Sequence, residues 1–271
     1  MVQIVRSIIE KQTLRPALWQ LSIGLEEIDQ AAGQIIPGQF FLVQCEAAHS
    51  TYLRRAIFPI KTVFDPSEKW LRFLFSPADL TDPGLAWLIS RQIGHKIDLL
   101  GPFGQGFPQP NRNENILLIG SGPQIGPLLF LLTQALKGGA NVVLALEATR
   151  SGDLYPTQDI PPAVELHLAT SDGSQGYRGS ILDHLGDLPQ WADAVCAVGS
   201  RPFYARLKTL LNQTRLTVME KFASVLINDR PLHICGNGLC TLCTLPTTAG
   251  LKLACQDGPI FDLAILPSEE R

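Results

Sequence analysis

The chain has 271 residues, enough for two or three domains that each bury a core. A net charge of -3, with 17% charged residues, gives no electrostatic case for nucleic acid or an anionic membrane surface. The longest apolar run, Pro127 to Leu132, falls far short of the roughly 20 residues of a membrane helix, and Met1 to Arg6 opens no signal-peptide pattern, so the expectation is a cytoplasmic protein with no membrane span.

From Val2 to Phe107 short alternating apolar runs are broken by glycine and proline. Leu18 to Ile23, Gln39 to Gln44, Ala56 to Ile60, Trp70 to Phe75 and Lys96 to Leu100 read as strands, with turns at Pro37-Gly38 and Asp65-Pro66. Only Pro83 to Arg91 looks helical. The economical reading is an N-terminal antiparallel β-barrel over 1–107.

Near Asn115 the period changes. Ile116 to Gly120 is a buried strand, Ser121 to Gln124 a turn, Ile125 to Lys137 an apolar helix and Asn141 to Leu146 the next strand, which makes a βαβ unit and a parallel sheet. Val164 to Ala169, Gly179 to Leu185, Ala194 to Val198 and Pro202 to Leu211 continue the alternation, so 108–215 is read as a doubly wound α/β domain of nucleotide-binding type. A linker strand, Arg215 to Met219, leads into a small C-terminal domain over 216–271.

That tail holds the strongest motif. Cys235 and Cys240 are separated by four residues, Cys240 and Cys243 by two, and Cys255 follows after eleven more, the spacing of plant-type 2Fe-2S sites. Gly236 and Gly238 let the loop curl around a compact inorganic core. Zinc also takes four thiolates, but its structural sites favour two separate Cys-x2-4-Cys pairs, whereas here three cysteines crowd together and one stands apart. A disulfide framework belongs to small secreted domains. Cys45 and Cys196 lie in apolar runs and read as core thiols.

Other signals are weaker. Gly120-Ser121-Gly122 sits between strand and helix, where backbone amides favour a phosphate, without completing the dinucleotide fingerprint. Arg54-Arg55 suits either a phosphate clamp or a solvated rim. The five histidines, His233 near the cysteines among them, share no metal-ligand spacing, and no nucleophilic triad is legible.

Barrel, nucleotide-type sheet and cysteine loop, in that order, resemble the electron-transfer subunit of the two-subunit, NAD-linked dihydroorotate dehydrogenases, within the ferredoxin-NADP reductase-like superfamily. The motifs are Asp98 to Phe107, Gly120 to Leu128, Cys235 to Cys240 and Cys255 to Pro259. The resemblance implies FAD on the barrel, NAD on the sheet and a 2Fe-2S cluster on Cys235, Cys240, Cys243 and Cys255, which passes electrons to a flavin-containing catalytic subunit in a hetero-oligomer. It also implies FAD contacts at Arg55 and Gly84, and nucleotide contacts at Gly120 and Gly122.

The chain departs from the family pattern in places. An Arg-Pro-x-Ser flavin motif reads Arg55-Ala56-Ile57-Phe58, and a Gly-Thr pair reads Gly84-Leu85. A cysteine beside the nicotinamide becomes Val198. The expected function is an iron-sulfur electron-transfer subunit of a cytoplasmic oxidoreductase. Two rival readings stand beside it: a flavin-free assembly or regulatory subunit that keeps the cluster, and a reductase subunit of a sulfur-, hydrogen- or ferredoxin-linked complex.

Overall fold

The computed structural model describes residues 2–16, 18–45, 54–76, 82–213, 220–224 and 234–267, with 220–224 as backbone. The barrel strands are β1 (Val2–Arg15), β2 (Leu18–Gly24), β3 (Phe40–Val43), β4 (Arg55–Phe64), β5 (Lys69–Phe75) and β6 (Lys96–Phe103). They close in the order β1-β2-β5-β4-β3-β6, every pair antiparallel. β6 shows the period of two, with Ile97, Leu99, Gly101 and Phe103 buried in turn. β1 escapes a simple pattern because its register against β2 shifts twice, between Ile8 and Glu10 and between Thr13 and Arg15, and each shift breaks the alternation.

Two helices lie among these strands. A short α1 (Gln30–Gly33) follows β2, an addition to the single helix expected there. The expected one is α2 (Pro83–Ser90), started by Pro83 at its first turn and capped by Asp82, whose Oδ1 accepts from the amides of Gly84 and Leu85 at 2.7 and 3.2 Å.

The second unit runs β7 (Asn115–Ser121), α3 (Gly126–Gly138), β8 (Asn141–Ala148), β9 (Glu165–Thr170), β10 (Tyr177–Arg178), α4 (Leu188–Trp191), β11 (Ala194–Val198), α5 (Arg201–Gln213) and β12 (Glu220–Ser224). A hairpin of β13 (Thr244–Thr247) and β14 (Gly250–Leu253) follows, then β15 (Ile260–Asp262). The sheet order is β10-β9-β8-β7-β11-β12-β15, parallel except for β15. β7 lies between β8 and β11, so the winding reverses there and the crevice opens at the carboxyl ends of β7 and β11.

Gly179 to Leu185 does not form a regular unit; it is a single 3-10 turn at Ile181–His184, bracketed by Gly179 and Gly186 with positive φ, which no α-helix continues through. The linker at Arg215 to Met219 lies outside the described residues.

One apolar core runs through all three parts, joining Phe40, Phe58 and Phe103 of the barrel to Leu118 and Leu128 of the sheet unit and to Ile234, Cys243 and Cys255 of the tail. Phe130 of α3 packs in turn into the second core, inside the barrel. Among the described residues no helix is long and apolar enough to cross a membrane.

Candidate cluster site and flavin-type pocket

The cysteine loop lies against the end of the barrel. Gly236 (φ +78°) rests so closely on Phe103 and Leu42 that a Cβ there would sit 2.7 Å from the Phe103 ring. Gln256 clasps the loop from the other side, its Nε2 donating to the carbonyl of Asn237 at 2.9 Å. Across the barrel rim, the Gln105 amide donates to the Gly258 carbonyl. The motifs Asp98 to Phe107 and Cys255 to Pro259, far apart in sequence, therefore form one contact.

Cys240 stands beside Cys235 and Cys243 beside Cys255, and Cys235 is near enough to act on Cys255 electrostatically. Burial disfavours a thiolate at Cys235, yet the amides of Cys240, Asn237 and Leu239 point at its sulfur and bring its pKa from 9.0 down to about 7. The Cys240 amide lies 3.4 Å from it. Cys255 is pushed up to about 12 by burial and by the neighbouring Cys243, although the Gly238 amide works the other way. Among the described residues no three Cys, His, Asp or Glu side chains close on one point as a single ion requires. Two adjoining thiol pairs, with amides aimed at sulfur, match the donor chemistry of a two-iron core.

At the other end of the site, Arg55 opens β4 and is buried, with its side chain 4% exposed. Its Nε donates to Oδ1 and Oδ2 of Asp82 at 3.0 and 2.9 Å. The structure thus brings together Arg55 and Gly84, and a Cβ on Gly84 would sit 2.9 Å from the Arg55 Nε. Beside them, bonded to both, is Asp82, which sequence reasoning missed; its position just before Pro83 marks it as a helix cap. Arg54 takes the rim role, pairing with Asp98 at 2.7 Å.

Phe58 turns into the core, its ring 5.7 Å from that of Phe40, which packs 5.7 Å from Phe103. The cavity beside it, lined by Ala56, Phe75, Ser76, Leu85 and Gln124, holds about 40 Å³. Ser76 Oγ is buried there without a hydrogen-bond partner. That room suits a water, whereas pockets for cofactor-sized ligands run to roughly 300 Å³ or more.

In the sheet crevice Gly120 is packed, since a Cβ would meet Ile125 and Leu146 at 2.7 and 2.8 Å, while Gly122 (φ +84°) is open. Glu147, at the end of β8, ties this turn down. Its carboxylate accepts from Ser121 Oγ at 2.9 Å, Ser180 Oγ at 2.7 Å and the Ile181 amide at 2.8 Å, and its carbonyl accepts from the Gly122 amide. Its place after the glycine turn, at the end of the next strand, is the signal that finds it in a sequence. Val198 ends β11 fully buried.

Residues 233–266 match the family model for the iron-sulfur cluster binding domain of dihydroorotate dehydrogenase B. The electron transfer subunit of dihydroorotate dehydrogenase B (NAD(+)) from Shouchella clausii is 30% identical over 231 residues, covering 83% of this chain and 84% of that protein. The chain belongs to this family of electron transfer subunits. The family member from Listeria innocua is 25% identical over 271 residues, covering 96% and 97% of the two chains. Among solved structures, that of an NADH-dependent reduced ferredoxin-NADP oxidoreductase shares the fold with a TM-score of 0.77 at 22% identity, over 97% of this chain and 89% of that one. The ferredoxin reductase of carbazole 1,9a-dioxygenase follows at 0.66 and 19%, over 81% and 68%.

Against the family pattern the two ends of the site differ. The cluster end keeps every cysteine and the glycines that shape the loop. At the flavin end the retained arginine faces a carboxylate of its own chain, and an aromatic ring in the core stands where the family carries a hydroxyl. As folded, these residues do not fit a flavin ring.

Proposed function

We infer that this chain is the iron-sulfur electron-transfer subunit of a cytoplasmic oxidoreductase of the dihydroorotate dehydrogenase B type. In this reading Cys235, Cys240, Cys243 and Cys255 hold a 2Fe-2S cluster that relays electrons to a flavin-containing catalytic subunit. The observation that carries it is the set of four cysteines, at 2Fe-2S spacing, inside residues 233–266 that match the family's cluster-binding domain. The cluster supplies one-electron chemistry; the chain sets its position and its hydrogen bonds.

The surface around the loop supports a partner. Leu239 is 82% exposed, Leu251 74% and Leu242 52%, three large apolar side chains grouped about the cysteine loop and its hairpin. Burying them against a second subunit removes apolar area from water and brings that subunit's redox centre near the partly exposed Cys235 and Cys240.

The test is anaerobic purification followed by iron and acid-labile sulfide analysis and identification of whatever copurifies. About two irons and two sulfides per chain, with a dihydroorotate-oxidising flavoprotein in the same complex, is the expected result. Zinc in place of iron overturns the cluster. Recovery with a sulfur-, hydrogen- or ferredoxin-linked enzyme instead moves the chain to another complex of the same architecture.

A further inference from the structure

Among the described residues three donors converge on the carboxylate of Asp82: the Arg55 guanidinium Nε at 2.9 and 3.0 Å, the Gly84 amide at 2.7 Å and the Leu85 amide at 3.2 Å. This is the donor set of a phosphate site, a charged planar fork beside the first amides of a helix, where the positive end of the helix adds to the attraction. Arg55 and Asp82 are both deep, with side chains 4% and 11% exposed. Gly84 lies against the guanidinium with no room for a side chain. The anion these groups hold is part of the chain itself.

We propose that Asp82 is an internal stand-in for a cofactor diphosphate: its carboxylate fills the anion site formed by Arg55 and the start of α2, so the chain purifies without stoichiometric FAD. The inference rests on the family reading for the identity of the displaced group, and on the geometry for the displacement. An incoming diphosphate must expel a like charge that already has its hydrogen bonds, which costs both the ion pair and the helix cap. The neighbouring pocket gives no compensation, because Phe58 is committed to the aromatic core and the cavity beside it holds about 40 Å³. Asp82 is thereby the residue that determines cofactor affinity in this chain.

The experiment uses the anaerobically purified, cluster-loaded protein. Flavin released by acid is measured first: less than about a tenth of an equivalent per chain is expected, and one FAD per chain surviving gel filtration overturns the proposal. ADP, a diphosphate without the flavin ring, is then titrated calorimetrically into the wild type and into Asp82→Asn, which keeps a capping side chain and removes the charge. Binding at least ten-fold tighter in D82N is expected, and equal affinity overturns the proposal.

Because D82N removes the carboxylate charge that faces Arg55, the charge-neutral pair Arg55→Gln with Asp82→Asn is measured alongside it. The gain must vanish in that double variant; a gain that persists places ADP elsewhere, in the sheet crevice, and also overturns the assignment. If D82N does not fold, Asp82→Ser, with a shorter capping hydroxyl, takes its place under the same criteria. Iron and sulfide content is read in every sample, so loss of the cluster, which would undermine the electron-transfer reading, is distinguishable from failure of the anion-site assignment.

Discussion

Asp82 does two jobs with one carboxylate, capping α2 and neutralising Arg55. Burial alone would raise its pKa, but the hydrogen bonds and charge of Arg55, with the Leu85 and Gly84 amides, outweigh burial and hold it below its ordinary 3.8. A depressed carboxylate contributes stability that is complete above the unfolded value and is lost as the pH falls through the folded one. Denaturant unfolding of the wild type should therefore weaken from about pH 4 downward more steeply than that of D82N, whose amide does not titrate. Equal slopes would remove this pair from the acid limb. Gly236 is the matching case at the cluster end. Its positive φ and its contact with Phe103 and Leu42 leave no space for a methyl group. Gly236→Ala is expected to cost about 1–3 kcal/mol by overpacking and to lower the iron incorporated per chain, read by metal analysis and urea unfolding.

At the scale of elements, the glycine turn between β7 and α3 is tied to the end of β8. Glu147 collects two hydroxyls and an amide, so the turn, the end of β8 and the 3-10 turn at Ile181–His184 move as one unit. Glu147→Ala leaves three donors without their acceptor and should cost about 1–3 kcal/mol in equilibrium unfolding, with Glu147→Gln costing less because one oxygen still accepts. A loss below a few tenths of a kcal/mol in the alanine variant would show that water replaces the carboxylate freely. α3 illustrates how much of an element is readable locally. Its apolar run, Pro127 in the first turn and Gly139 in left-handed conformation at its end all stand in the sequence. Its role in joining barrel to sheet does not, because Phe130 reaches the barrel core only through tertiary packing.

For the whole molecule, the continuous core makes barrel, sheet and cluster loop one mechanical body, with Cys243 and Cys255 buried in it, Cys235 and Cys240 partly exposed, and Leu239, Leu242 and Leu251 exposed on the loop and its hairpin. Replacing Leu239 and Leu242 together by serine should leave iron content and folding intact, since both side chains are exposed, while weakening association with the catalytic subunit by about ten-fold or more for two interface leucines lost. Analytical ultracentrifugation of the mixed subunits reads this directly, and unchanged association would move the partner face elsewhere.

The order of barrel, parallel sheet and cysteine loop was legible because each rests on a short-range signal: a period of two, a strand-turn-helix succession, and cysteine spacings that one loop can satisfy. β1 was harder, as two register shifts scramble its alternation. The sequence also carried the arginine and the glycine of the flavin motif, and their meeting is what the family pattern implies. That Asp82 bonds to both of them was decided by tertiary structure. Arg55 and Asp82 are 27 positions apart, and nothing in either segment alone says that one closes on the other. A buried charge must find a counter-charge somewhere in the fold, and here the chain supplies it itself.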